Sequence, residues 1–122
     1  MIRLTERQIE QQIVDLLSAH GWYVLRTNQF AGAVIQRQGT LERGMPDLLA
    51  WKIIPWAVRT LHASLPAARL MWIEVKGPRG TLSPVQKKWH LAAEARGETV
   101  LVARSPFEVE NAIGMSCLRF GT

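Results

Sequence analysis

The segment LMWIEVKGPRG, residues 70–80, constrains the fold more than any other stretch of the chain. Its first six residues, Leu70 to Val75, have the apolar character of a buried strand, yet Glu74 lies inside the run and Lys76 follows two residues later. Side chains alternate along a strand, so Met71, Ile73 and Val75 share one face while Trp72, Glu74 and Lys76 share the other. One face fills a core. The other aims an acid and an amine at the same region, and the fold has to supply surroundings that tolerate both.

The flanking sequence supplies the other elements. Thr5 is a suitable N-cap for ERQIEQQIVDLLSAHG, where Ile9, Ile13, Leu16, Leu17 and His20 recur at helical spacing and Gly21 ends the helix. WYVLRT reads as a strand, GAVIQRQG (32–39) as a second strand or hairpin arm, LERGMP as a turn and DLLAWKII as a strand. Residues 55–69, PWAVRTLHASLPAAR, are compatible with a short helix or with a long hairpin excursion. In SPVQKKWHLAAEARG, Ser83 caps a helix, Pro84 takes its first position and Gly97 ends it. ETVLVAR is a strand, and SPFEVENAIG repeats the Ser-Pro helix start with Glu108 as a capping acid. Together these give an α/β chain in α-β-β-β-α-β order, a central mixed β-sheet flanked by helices, in one domain spanning 1–122.

No apolar run approaches a bilayer-spanning length, and the polar N-terminus is unlike a signal peptide. Cys117 is the only cysteine, which excludes an intrachain disulfide framework and favours the cytoplasm. The three histidines lack zinc-site spacing. Fifteen basic against ten acidic residues give a net charge of +5, and between Leu48 and Ala93 the sole acid is Glu74. That window carries Lys52, Arg59, Arg69, Lys76, Arg79, Lys87 and Lys88, which suits either a solvated basic face or an anionic partner.

GMPD, residues 44–47, sets Asp47 at the mouth of the strand before the 55–69 stretch. If that strand pairs with Leu70–Val75, Asp47 and Glu74 converge. Two carboxylates held together repel, and a hard divalent cation removes the conflict, bound by one or two carboxylates with waters and phosphate oxygens. A lysine beside such a site positions or deprotonates a water, or stabilises charge on a phosphate. The chemistry implied is metal-assisted phosphodiester hydrolysis. Plainer readings stand beside it: Glu74 and Lys76 as a structural ion pair, Asp47 as a turn residue after proline, and Gln86 as the capping-box partner of Ser83.

The ordered set TERQIEQQIVDLL, GMPDLL, WIEVKGPRG and LSPVQKKW resembles the PD-(D/E)XK nucleases, and within them the VRR-NUC (virus-type replication-repair nuclease) branch. The resemblance runs from about Thr5 to about Val109 and implies a PD-(D/E)XK nuclease-like core. It implies that Asp47 and Glu74 hold Mg²⁺ or Mn²⁺, with the Val75 carbonyl as a further ligand. It also implies that Lys76 serves the attacking water, that Gln86 orders the site and that a helix-1 glutamate contacts the metal directly or through water. Glu6 and Glu10 both qualify for that last role. Glu10 is favoured, because it borders the apolar stripe and precedes Gly21 by the spacing of related junction-resolving members. The long interval between Asp47 and Glu74 departs from a simple hairpin and adds basic residues. Arg79, Lys87, Lys88 and Lys52 are the expected DNA contacts.

With no recognition motif for base sequence, the resemblance implies shape selection: a structure-selective DNA endonuclease acting on branched or four-way (Holliday) junctions as a homodimer, in a bacterial or phage-infected cytoplasm. The alternatives are a non-catalytic DNA-binding module and a general or flap nuclease. A small phosphorylated substrate is disfavoured, since the chain has no Gly-rich phosphate cradle.

Overall fold

A computed structural model describes residues 3–27, 43–59 and 64–120, without the side chains of 55–59, 64–66 and 115–120. In chain order the elements are α1 (Glu6–Ala19), β1 (Tyr23–Arg26), β2 (Leu48–Arg59), β3 (Ser64–Val75), α2 (Pro84–Ala95), β4 (Thr99–Ala103) and α3 (Pro106–Phe120). The strands form one mixed sheet in the order β1-β2-β3-β4. β1, β2 and β3 are successively antiparallel, and β4 runs parallel to β3, joined to it through α2. The α/β class and the element order agree with the sequence reading. The proposed strand at 32–39 lies outside the described residues. Among the described residues no helix is long and apolar enough to cross a membrane.

Within the 55–69 stretch, residues 55–59 and 64–69 are strand and not helix: they fall in the outer halves of β2 and β3, which continue to pair as far as Arg59 with Ser64, and 60–63 lie outside the described residues. The register shifts between Ile54 and Val58, the interval that holds Pro55, a residue with no N–H to give to a ladder. β1 pairs with β2 only from Leu48 to Trp51, so this stretch of β2 has no β1 beside it. Among the described residues no strand pairs with it on that side, and a proline is tolerated there.

The alternation read in Leu70–Val75 is realised. Met71, Ile73 and Val75, with Leu48 and Ala50 of β2, pack against Ile9, Ile13 and Leu17 of α1 and Val109 and Ile113 of α3. Burying a side chain of the Ile13 or Leu17 kind contributes roughly 1.5–3 kcal/mol. On the opposite face Trp72 meets Trp89 of α2 edge to face, with ring centroids 5.0 Å apart.

Candidate active site

Asp47 immediately precedes β2, and Glu74 is the penultimate residue of β3. Leu48 pairs with Ile73, so the antiparallel register sets Asp47 across from Glu74. The contact is reciprocal. The Asp47 N–H donates to Glu74 Oε2 at 3.2 Å, and the Val75 N–H donates to Asp47 Oδ2 at 2.9 Å. Each carboxylate is thereby held by a backbone N–H of the opposing segment.

The Glu74 side chain is 3% exposed, which separates it from a surface ion pair. Burial, then the neighbouring Asp47 carboxylate, push its pKa up to about 7, while the Lys76 ammonium pulls in the other direction. The Lys76 amine lies 3.7 Å from Glu74 Oε1. The same oxygen accepts from Gln86 Nε2 of α2. Lys76 alone does not offset the charge of two adjoining carboxylates, and a hard divalent cation would. Among the described residues no three His, Cys, Asp or Glu side chains are grouped for a metal. A pair of carboxylates is nonetheless a fitting donor set for an ion that keeps waters and takes phosphate oxygens.

Gln86 bonds in two directions from one side chain. Its Oε1 accepts from the Ser83 N–H at 2.9 Å while its own N–H donates to Ser83 Oγ at 3.2 Å, closing the capping box. With the amide oxygen committed to the cap, the amide nitrogen is turned toward Glu74. The GMPD turn is seated directly on this helix start. Gly44 has φ 86°, and a Cβ there would meet the Val85 carbonyl oxygen at 2.5 Å.

Asp47 opens onto a cleft of about 980 Å³ whose wall also includes Glu6, Glu10, Arg26 and Val75, while Glu74 lies buried behind it. Glu10 and Glu6 both stand on it, and their partners differ. Glu10 Oε2 pairs with Arg26 Nε at 3.2 Å, whereas Glu6 Oε1 accepts from the Gly77 N–H at 3.1 Å. Arg79 is exposed in the turn after Lys76, and Lys87 and Lys88 are exposed in the first half of α2. Lys52, also expected as a DNA contact, is not brought to this end of the molecule. It lies five residues along β2 from Asp47, roughly 16 Å away, and its amine donates to the His20 carbonyl at the end of α1 (2.9 Å).

Arg26 and Arg104 carry no sign of their roles in the sequence. Arg26 is tied to Glu10 and also donates to Gln11 Oε1 (2.6 Å), while Arg104 holds the carbonyls of Gly77 and Gly80. Their partners are fifteen or more residues away, beyond the reach of local spacing.

A family model described as the VRR-NUC domain matches residues 4–106. A solved structure described as a VRR_NUC domain protein is 20% identical, with a TM-score of 0.58 over 93% of this chain and 88% of that one. No curated protein matches.

Proposed function

Because the chain belongs to the VRR-NUC domain family, whose domain is of nuclease type, we propose that it is a divalent-metal-dependent DNA endonuclease. Its cation in this reading is Mg²⁺ or Mn²⁺, its substrate branched or four-way-junction DNA, and its acting form a homodimer. The observation that carries the reading is the crossing of Asp47 and Glu74 at adjoining strand ends, with the Lys76 amine 3.7 Å from Glu74.

In this reading Asp47 and Glu74 hold the cation with the Val75 carbonyl, and Glu10 adds a contact directly or through water. When bound, the cation polarises the phosphate and lowers the pKa of water. Lys76 orients the attacking water or stabilises charge on the phosphate oxygens. Gln86 fixes the rotamer of Glu74. Arg26, now paired with Glu10, sets where that carboxylate points. Arg79, Lys87 and Lys88 contact phosphates and hold the strand in register without reading bases. A four-way junction needs two symmetric cuts, which a two-fold dimer supplies.

The test is incubation of the protein with a labelled four-way junction and a linear duplex of matched sequence, in Mg²⁺, Mn²⁺ or EDTA, beside Asp47→Ala. Paired, metal-dependent cuts confined to the junction, absent in Asp47→Ala, are expected. Tight junction binding with no cleavage in either metal would refute the enzyme reading, and equal cutting of both DNAs would refute the structure selectivity.

A further inference from the structure

The turn at 77–80 is held from two sides by groups that the chemistry above does not use. Arg104, the first residue after β4, donates from Nη1 to the Gly77 carbonyl at 2.8 Å and to the Gly80 carbonyl at 2.5 Å. Within the turn, the Gly80 N–H donates to the same Gly77 carbonyl at 3.1 Å. From the α1 side, Glu6 Oε1 accepts from the Gly77 N–H at 3.1 Å. Arg104 is itself anchored, since its backbone N–H donates to Glu108 Oε2 at 3.1 Å. Charge-assisted bonds from one guanidinium to two carbonyls make a strong clamp for a four-residue turn with glycine at both ends.

The clamped turn touches Lys76. A Cβ placed on Gly80 would lie 3.3 Å from Lys76 Cδ and 3.4 Å from Lys76 Cβ. The lysine stem therefore runs against Gly80. The Lys76 N–H donates to the Ala103 carbonyl at 3.0 Å, which fixes its backbone and leaves a four-carbon stem with several rotamers. The Gly80 backbone is a wall that removes some of them.

We infer that Arg104 is a positioning residue for Lys76: by drawing the Gly77 and Gly80 carbonyls together it keeps that wall in place and delivers the lysine amine to the carboxylate pair. The inference rests on the nuclease reading, in which Lys76 acts on the water or phosphate. A group that must act within about 1 Å of its station loses up to about a hundredfold in rate when displaced by that much.

The experiment measures single-turnover cleavage of the four-way junction in Mn²⁺, and junction affinity in EDTA, for wild type, Arg104→Met, Arg104→Lys, Lys76→Ala and the Arg104→Met/Lys76→Ala double variant. Arg104→Met keeps the stem and removes the donors. Its cleavage rate is expected to fall about tenfold to a hundredfold, with affinity changed less than about threefold. Arg104→Lys, which retains donors for both carbonyls, is expected to recover most of the rate. In the Lys76→Ala background the same change should cost nothing further, because no amine remains to be placed. A readout independent of turnover is the ¹³Cε resonance of Lys76, which should move in Arg104→Met and return in Arg104→Lys.

An equal slowing by Arg104→Met with and without Lys76 would overturn the inference, as would an unmoved Lys76 resonance or a loss confined to affinity. Those outcomes leave the nuclease reading standing. A folded wild type that cuts no DNA in either metal would overturn that reading, and the inference with it.

Discussion

One amide, that of Gln86, both closes the first turn of α2 and holds Glu74. The two tasks can be separated. Glutamate at the third helical position also completes a capping box, so Gln86→Glu should keep the helix start while replacing a donor with a carboxylate facing Glu74. Thermal unfolding should move by no more than a few degrees, and Mn²⁺ affinity by calorimetry should rise about tenfold or more, because a third carboxylate facing the pair adds repulsion that the cation relieves. A large fall in Tm with Mn²⁺ affinity unchanged would show that the cap, not the site, needs this residue. Glu74 gives a pH prediction of a different kind. Its pKa in the fold is about 7 against an ordinary 4.5. Between those values the folded protein holds a proton that the unfolded chain has released. The contribution of Glu74 to metal-free stability should therefore be fully present below about pH 4.5, fall as pH rises to about 7 and level off above it. A divalent cation binds the ionised pair, so its stabilising effect should grow over the same interval. Melting curves at pH 5, 6, 7 and 8 in EDTA and in Mg²⁺ check both signs, with Glu74→Gln as the control that should remove the contribution of this group. These residues were legible in the sequence because alternation, a preceding Pro-Asp and a Ser-x-x-Gln start are local patterns. The Arg26–Glu10 and Arg104–turn contacts were not, since they exist only after distant segments meet.

At the scale of elements, the site depends on how closely the turn before β2 approaches the start of α2. Gly44 allows that approach: a Cβ would sit 2.5 Å from the Val85 carbonyl oxygen and 2.8 Å from its carbonyl carbon, both backbone atoms of the helix that carries Gln86. The backbone at Gly44 also has φ 86°, where an L side chain is strained. Gly97, after α2, has φ 87° but open space around its Cβ position. Gly97→Ala thus measures the strain alone, on the order of 1–2 kcal/mol. Gly44→Ala should cost clearly more in urea unfolding, and it should also slow cleavage, because Asp47 and Gln86 lie on the two segments forced apart. Equal stability losses, with cleavage unaffected in both, would mean that the turn and helix are not mechanically joined. The same scale explains which elements could be read in advance. α1 and α2 are legible from Thr5, Ser83, Pro84 and apolar spacing, all signals within one helical turn. The outer halves of β2 and β3 were not, because PWAVRTLHASLPAAR has two prolines and four alanines and no strict alternation. Cross-strand pairing decides that stretch, and it is a tertiary fact.

The whole molecule sorts its positive charge in a way that the chain alone does not reveal. Seven basic residues crowd the interval from Leu48 to Ala93, and in the sequence they read as one surface. The fold divides the six whose side chains are described. Lys52 is spent on the carbonyl end of α1, and the Arg69 guanidinium lies 5.5 Å above the Trp22 ring. Lys76 is turned inward to Glu74, while Arg79, Lys87 and Lys88 remain exposed at the end that carries the carboxylate pair. A polyanion binding at the cleft should therefore sense the last three and not the first two. Removing one cation that neutralises a phosphate lowers the slope of log affinity against log salt by about 0.9 on duplex DNA. Junction binding in EDTA across a salt series should show the slope falling by about 2 in Lys87→Ala/Lys88→Ala and by about 1 in Arg79→Ala. Lys52→Met should leave the slope unchanged and instead lower stability by about 0.3–1 kcal/mol, the worth of a cation at a helix C-terminus. A slope reduced by Lys52→Met as much as by Arg79→Ala would mean that DNA runs along β2 toward the end of α1. The bound path would then have to span the sheet, and the cleft would be only one end of it.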